Sequence, residues 1–323
     1  MKRILITRAV FPEVVESLAQ RFEVEHNADD RPWPPEELAQ RLGGCSGALS
    51  TVMDPFGEAV IARAPELRVI SNIAVGYNNI DMAAATKRGI RVTNTPGVLD
   101  ETTADLTWAL LMAAARRTAE ADAFVRRGDW KVAFSMHSFL GADIHHATLG
   151  IIGMGRIGQA IARRALGFDM RVLYHNRSRL PAEDEKRLDA TRVERDELLA
   201  RSDFVVVMVP YSQATHHLIG ASEIAKMKPS AILVNSARGG VVDDAALVEA
   251  LKVGRIAGAG IDVFEGEPKL NAGYLALPNA VLTPHIGSAS RVTRMKMCEM
   301  AVANLTAVLE GRTPPNLVNK ELA

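Results

Sequence analysis

The chain has 323 residues, 48% of them hydrophobic and 24% charged, proportions that exclude a disordered segment, a collagen-like repeat and a disulfide-stapled miniprotein. Its 38 Lys plus Arg balance 38 Asp plus Glu, so the summed field exerts no long-range pull on nucleic acid or on an anionic membrane. At about 150 residues per domain, the length favours two domains with a cleft between them.

Short apolar or β-branched runs alternate with helical patterns along the chain, which implies crossover connections and parallel sheets covered on both faces. The fold class is α/β. Residues 3–7 read as a strand, 12–22 as an amphipathic helix and 22–26 as a second strand. Residues 35–42 are helical, 47–51 extended, 57–64 helical and 68–73 a strand, and 90–94 complete a small doubly wound domain. Residues 100–117 read as a long apolar helix with Asp100 as its N-cap, suited to linking two domains.

A second series follows, with strands predicted over 149–152, 171–174, 204–209, 232–235, 258–262 and 281–283. It describes a six-strand dinucleotide-type sheet. The amphipathic helix expected over 292–309 is too little for a domain of its own and is assigned back to the first domain. The expected division is 1–98 for the first part of a substrate domain, 99–288 for a Rossmann dinucleotide domain and 289–323 for the returning helix.

Cys45 and Cys298 stand in no C-x-x-C or Cys/His ligand spacing, so they read as core residues of a protein in a reducing cytoplasm. His137, His145, His146, His175, His216 and His217 show no metal-site spacing on one helix or strand, and no metal is expected. The first seven residues lack the apolar region of a secretory signal, and no run approaches the ~18 apolar residues of a membrane span. The expectation is a soluble, cytoplasmic protein without a membrane or nucleic-acid partner.

Chemistry is signalled first by Gly153, Gly155 and Gly158, spaced as Gly-x-Gly-x-x-Gly after a strand and at the opening of a helix. The first glycine permits a tight turn, the second lets backbone approach a pyrophosphate, and the third lets helix and strand pack closely. Arg156 and Ile157, between the last two, belong to the same candidate cofactor site. The next strand ends Tyr174-His175-Asn176-Arg177-Ser178-Arg179 with no acid to read a free ribose. Asn176, Arg177, Ser178 and Arg179 read either as a phosphate-holding turn, which favours NADPH over NADH, or as a solvated basic turn.

Three polar signals stand at the ends of late strands, where open α/β sheets place their ligands. They are Arg238-Gly239, the run Asp262-Val263-Phe264-Glu265-Gly266-Glu267-Pro268, and Pro284-His285-Ile286-Gly287-Ser288. Singly, Arg238 is a surface cation, Glu267 a turn acid and His285 a loop histidine. Together they supply a carboxylate binder, an acid to polarise an imidazole and a proton donor. That set suits reduction of a 2-keto acid.

With the glycine loop, these motifs resemble the D-isomer-specific 2-hydroxyacid dehydrogenase family over essentially the whole chain. Within it the sequence looks most like the glyoxylate/hydroxypyruvate reductases, including 2-ketogluconate reductases, through Ala74-Val75-Gly76-Tyr77-Asn78, His145-His146 and the Asn176–Arg179 turn. Asn78 departs from the aspartate of many relatives. The resemblance implies a Rossmann domain beside a flavodoxin-like substrate domain. It also implies that Arg238 grips the substrate carboxylate, His285 acts as general acid and Glu267 fixes the imidazole.

By the same likeness, Asp262 holds the nicotinamide carboxamide or caps a strand end, and Thr103 lies near the nicotinamide. Val75 and Gly76 present amides to the substrate, and Pro210 borders the adenosine site or merely ends a strand. The aromatic segment 130–141 is a satellite core or, as the resemblance favours, a dimer contact with Phe139 reaching the partner's pocket, and with the 100–117 helix it suggests a homodimer. Alternatives are a phosphoglycerate or phosphite dehydrogenase, or a dinucleotide-sensing binding protein.

Overall fold

The computed structural model describes residues 1–323 and divides into two compact units, Met1–Leu99 with Ala289–Ala323, and Asp100–Ser288. No helix is long and apolar enough to cross a membrane.

The first unit contains β1 (Arg3–Ile6), α1 (Pro12–Ala19), β2 (Glu23–His26), α2 (Pro35–Arg41), β3 (Gly47–Ser50), α3 (Glu58–Ala62), β4 (Val69–Asn72), α4 (Met82–Lys87) and β5 (Arg91–Thr93). Its five strands are all parallel, in the order β2-β1-β3-β4-β5, which is the flavodoxin-like order. Ile4, Leu5 and Ile6 are all fully buried, as a strand covered on both faces requires. One face carries Leu38, Leu42, Ile61 and Ala85 from the intervening helices. The other is closed by the last helix of the chain, Arg291–Leu309, through Cys298, Ala301, Leu305 and Leu309. Ser290 caps that helix by accepting from the Thr293 N–H. Cys45 and Cys298 are both buried, and burial pushes each thiol up to about 11.

The second unit runs α5 (Asp100–Ala115), α6 (Thr118–Arg126), β6 (Thr148–Ile152), α7 (Arg156–Ala165), β7 (Arg171–His175), α8 (Ala182–Leu188), β8 (Ala190–Arg192) and α9 (Arg195–Arg201). It continues through β9 (Phe204–Val207), α10 (Ala221–Ile224), β10 (Ile232–Asn235), α11 (Asp244–Lys252), β11 (Gly258–Ile261) and β12 (Ala280–Leu282); the helix Arg291–Leu309 of the first unit is α12. The sheet has seven parallel strands, not six, in the order β12-β11-β10-β9-β6-β7-β8. The strand missing from the sequence reading is β8, three residues at the sheet edge with only Ala190 buried. A segment so short and polar has no readable period. Counted from β6, the order is that of a Rossmann sheet with one extra edge strand, and the chain reverses direction between β6 and β9.

Two expectations about residues 100–117 need correction. Asp100 is the first helical residue, not the cap, and the helix stops at Ala115 because Arg117 takes left-handed backbone, φ +53°, before α6 begins. Much of α5 is buried by its own unit. Thr107, Trp108, Leu110 and Leu111 are buried within the unit, and a Cβ on Gly260 of β11 would stand 2.9 Å from the Leu110 Cβ. Trp108 Nε1 donates to Ile161 O of α7 at 3.0 Å and its ring stacks on Phe168 at 4.8 Å. The segment after α6 is different, since Trp130, Val132, Phe134, Met136 and Leu140 are all exposed. Phe139 instead turns back, its ring edge-on to Phe124 at 5.1 Å and beneath the Arg117 guanidinium at 5.3 Å.

Candidate active site

The glycine loop lies at the carboxyl end of β6, beside the point where strand order reverses. Gly153 has φ +103°, and a Cβ there would stand 2.3 Å from Met208 O. A Cβ on Gly158 would meet Gly153 O at 2.3 Å, so this glycine lets α7 approach the strand. Gly155, the residue before α7, has nothing within 4 Å of its Cβ position and is exposed. Open backbone followed by the unpaired N–H groups of Arg156 and Ile157 fits the pyrophosphate of a dinucleotide.

The basic turn after β7 is divided in its commitments. Asn176 points inward, its Oδ1 accepting from the Met154 N–H at 3.3 Å and so tying the turn to the glycine loop. Arg179 is held by Glu185, Nε to Oε1 at 3.0 Å and Nη2 to Oε2 at 2.9 Å, and Tyr174 donates to the same carboxylate at 2.6 Å. Arg179 and then Tyr174 hold the Glu185 carboxyl below its usual range. Arg177 and Ser178 are exposed at the tip. Arg192 of β8, absent from the sequence reading, sets Nη2 3.4 Å from Asn176 O.

Arg238, Glu267 and His285, 18 to 47 positions apart in sequence, converge at the carboxyl ends of β10, β11 and β12. His285 Nδ1 lies 2.7 Å from Glu267 Oε2, and His285 Nε2 lies 3.3 Å from Arg238 Nη1. The other Glu267 oxygen accepts from the Phe264 N–H at 2.8 Å. Burial alone would raise the Glu267 carboxyl, but His285, by hydrogen bond and by charge, with the Phe264 N–H and Arg238, holds it below its usual range. Burial lowers the Arg238 pKa against the opposing charge of Glu267. A carboxylate fixed on Nδ1 leaves Nε2 directed at the guanidinium, a proton-transfer atom beside an anion-binding fork.

Residues 108–287 match the family model of the D-isomer specific 2-hydroxyacid dehydrogenase NAD binding domain. The chain belongs to the D-isomer specific 2-hydroxyacid dehydrogenases. It is 49% identical over 323 residues to a glyoxylate reductase of Thermococcus gammatolerans, with 99% of this chain and 96% of that protein covered. A glyoxylate reductase of Korarchaeum cryptofilum is 50% identical over 322 residues, with 99% and 96% covered. Among solved structures, the NADPH-dependent glyoxylate/hydroxypyruvate reductase of Sinorhizobium meliloti, in complex with NADP and malonate, superposes with a TM-score of 0.88. It is 34% identical, with 98% of this chain and 97% of that chain covered.

This dehydrogenase is therefore an NAD(P)-dependent oxidoreductase with a nicotinamide dinucleotide as cofactor. Asp262, buried at the end of β11, anchors the loop that carries the histidine. Its Oδ1 accepts from Thr283 Oγ1 at 2.6 Å and the Ile286 N–H at 2.8 Å, and its Oδ2 from the Gly287 N–H at 2.9 Å. Burial pushes the Asp262 carboxyl up against those bonds. Thr103 is buried on α5, with its Oγ1 3.6 Å from where a Gly287 Cβ would stand.

Val75 and Gly76 follow β4 in the first unit, where their carbonyls accept from Asn94 at 2.9 Å and Asn72 at 2.8 Å. Pro210 is exposed past β9, and its carbonyl accepts from Thr215 Oγ1 at 2.8 Å.

The sequence reading missed Asp244. This buried carboxylate accepts the Glu265 N–H and the Tyr274 hydroxyl, each at 2.9 Å, and so holds the segment leading to Glu267. Only the third dimension joins it to that loop. A Cβ on Gly239 would stand 1.8 Å from Phe264 O, so this glycine lets the Arg238 and Glu267 loops touch.

Because the folded protein holds the Glu267 carboxyl below its usual range, this group stabilises the fold above the ordinary glutamate pKa. The contribution disappears as pH falls through the depressed value. Glu267→Gln is expected to lose less Tm on acidification than the parent, as read by thermal unfolding across an acid pH series; parallel curves would contradict the assignment.

Proposed function

We propose that this dehydrogenase reduces a small 2-keto acid of the glyoxylate or hydroxypyruvate class to the D-2-hydroxy acid, preferring NADPH. The observation that carries this reading is the Glu267–His285–Arg238 chain, in which His285 Nε2 and Arg238 Nη1 stand 3.3 Å apart. A 2-keto acid bears its carboxylate and its reducible carbonyl on adjacent carbons. A guanidinium beside a proton donor matches that spacing. Glyoxylate reductases at 49% and 50% identity support the substrate class.

When bound, the dinucleotide supplies the hydride that the keto carbon accepts. Arg238 holds the carboxylate. Protonated His285 gives its Nε2 proton to the carbonyl oxygen as that oxygen gains electrons and becomes a hydroxyl. Glu267 accepts from Nδ1–H and so holds the ring with Nε2 toward the carbonyl oxygen. Asp262 already accepts three hydrogen bonds, and a carboxylate has about four acceptor positions. One therefore remains for the nicotinamide amide, next to Thr103.

His285→Ala is expected to lower kcat for glyoxylate by ~10² to 10⁴ with dinucleotide affinity nearly unchanged, and Arg238→Lys to lower kcat/KM severely although the charge is retained. Steady-state kinetics with glyoxylate decide it. Near-normal kcat in His285→Ala would move the proton donor elsewhere.

The NADPH preference is supported by the lack of an acid at the end of β7 and by exposed Arg177 and Ser178. The adenosine side of the site runs from this turn toward Pro210. Since Arg179 is shared with Glu185, the expected preference in kcat/KM is about tenfold, what one solvent-screened charged hydrogen bond provides. Arg177→Ala should erase most of that preference by weakening NADPH alone. Equal use of both cofactors by the parent enzyme, or equal loss of both in the variant, would show that another group reads the phosphate.

The exposed apolar run from Trp130 to Leu140 supports a homodimer in which a second copy covers it. Buried free cysteines accord with a reducing, cytoplasmic setting. Sedimentation equilibrium at micromolar concentration should give twice the chain mass, and Trp130→Ser with Phe134→Ser should shift it toward monomer; a monomer from the parent would end the proposal.

A further inference from the structure

Outside the proposed active site, the second unit gathers two imidazoles and a carboxylate that the sequence holds 48 positions apart. His217 Nε2 lies 3.1 Å from Glu265 Oε2. The rings of His216 and His217 stack with centroids 3.9 Å apart and planes inclined by 25°. One ligand atom from each of His216, His217 and Glu265 falls within 4.8 Å of the others. Histidine spacing alone gives no view of Glu265.

The residues behind these three orient them in the way metal ligands are oriented. His217 Nδ1 lies 3.7 Å from Asp243 Oδ2. Asp243 is itself immobilised, its Oδ1 accepting from the Ala245 and Ala246 N–H groups at 3.0 Å each at the start of α11. A small rotation that brings Nδ1–H within hydrogen-bond reach of Asp243 would leave the lone pair of Nε2 to ligate, the carboxylate–histidine arrangement that recurs behind metal-bound imidazoles. Tyr211 Oη lies 3.4 Å from His216 Nδ1, and by accepting from Nδ1–H it would leave the Nε2 of that ring to ligate. His217 is held in left-handed backbone, φ +49°, with its N–H donating to Gly240 O at 2.8 Å.

We propose that His216, His217 and Glu265 form an open binding site for a divalent first-row transition metal of the zinc, cobalt or nickel type, with Asp243 orienting His217. Two imidazoles and a carboxylate suit these ions, and three protein ligands leave a position for water. Tetrahedral ligation at ~2.1 Å puts ligand atoms about 3.4 Å apart, so the side chains close in by rotation about their own bonds. His216 and Glu265 are exposed, giving the ion a path in. Bound there, the ion links the 211–217 segment to the loop that carries Glu267 two residues further on. The site stands apart from the proposed chemistry, and its test does not depend on the keto-acid assignment.

The experiment titrates the untagged, chelator-treated enzyme with Co²⁺, read by its visible absorption, and with Zn²⁺, read by calorimetry. One ion per chain is expected, with the intense visible bands of low-coordinate cobalt. His216→Ala and Glu265→Gln, both at exposed positions, should each weaken binding by at least about tenfold. Asp243→Asn keeps a competent helix cap and should cost about 10- to 100-fold in affinity with unchanged Tm, the effect of losing an orienting carboxylate.

The other imidazole pair, His145 and His146, has Nδ1 atoms 3.2 Å apart and Asp143 3.9 Å from His145. Replacing both by Ala should leave the titration unchanged. No saturable binding by the parent, or binding that survives His216→Ala and Glu265→Gln, would overturn the proposal.

Discussion

The buried carboxylate of Asp262 is the constraint on which the active-site geometry depends. At the end of β11 it accepts from Thr283 Oγ1 and from the Ile286 and Gly287 N–H groups, while its own carbonyl accepts from the His285 N–H at 2.8 Å. Four bonds to one residue make the chain after β12 turn tightly around it. His285 is thereby held in left-handed backbone, φ +54°, a conformation that a β-carbon disfavours and that persists only when its surroundings over-determine it. The imidazole is aimed by the backbone before Glu267 touches it.

Two buried acids each fix one loop, and the reactive groups stand between them. Asp262 fixes the histidine loop, whereas Asp244 fixes the segment leading to Glu267 through the Glu265 N–H and the Tyr274 hydroxyl. Burial raises both carboxyls from their usual range, so at neutral pH each opposes folding to some degree. Glu267 differs, because His285 and Arg238 supply the opposite charge that its burial requires. Stability is thus spent on holding two loops still. The two loops so held bring the Glu267 carboxylate to the His285 imidazole.

What the sequence made legible was whatever local chemistry dictates. The three glycines could be read because each answers a backbone demand within a single strand–turn–helix, and the structure places Gly153 and Gly158 under steric pressure while leaving the backbone at Gly155 open. Arg238, Glu267 and His285 could be read because each follows a strand of a parallel sheet, and such strands all end on the same side. The contacts that cross between elements were hidden. Nothing in the local sequence distinguishes Asp244 or Arg192, and Glu265 stands only as one member of the Asp262–Pro268 run. Residues 100–117 showed the same limit in reverse. Their apolar character was evident, but whether α7 and β11 or a second chain would cover them is a question of packing that periodicity cannot answer.

The basic turn after β7 holds one of its two arginines in an internal ion pair. Its sequence offers two arginines, yet Glu185 already binds Arg179 through two nitrogens and receives the Tyr174 hydroxyl as well. An arriving phosphate would compete with a carboxylate that is ionised, geometrically matched and buttressed. Arg177 has no such partner to give up, and it stands exposed, where water and salt screen its charge. The net positive charge available to a phosphate at this turn is therefore nearer one than two. Under the proposed NADPH preference such a turn would discriminate by a modest factor, because Arg179 braces the turn and does not stand free beside Arg177.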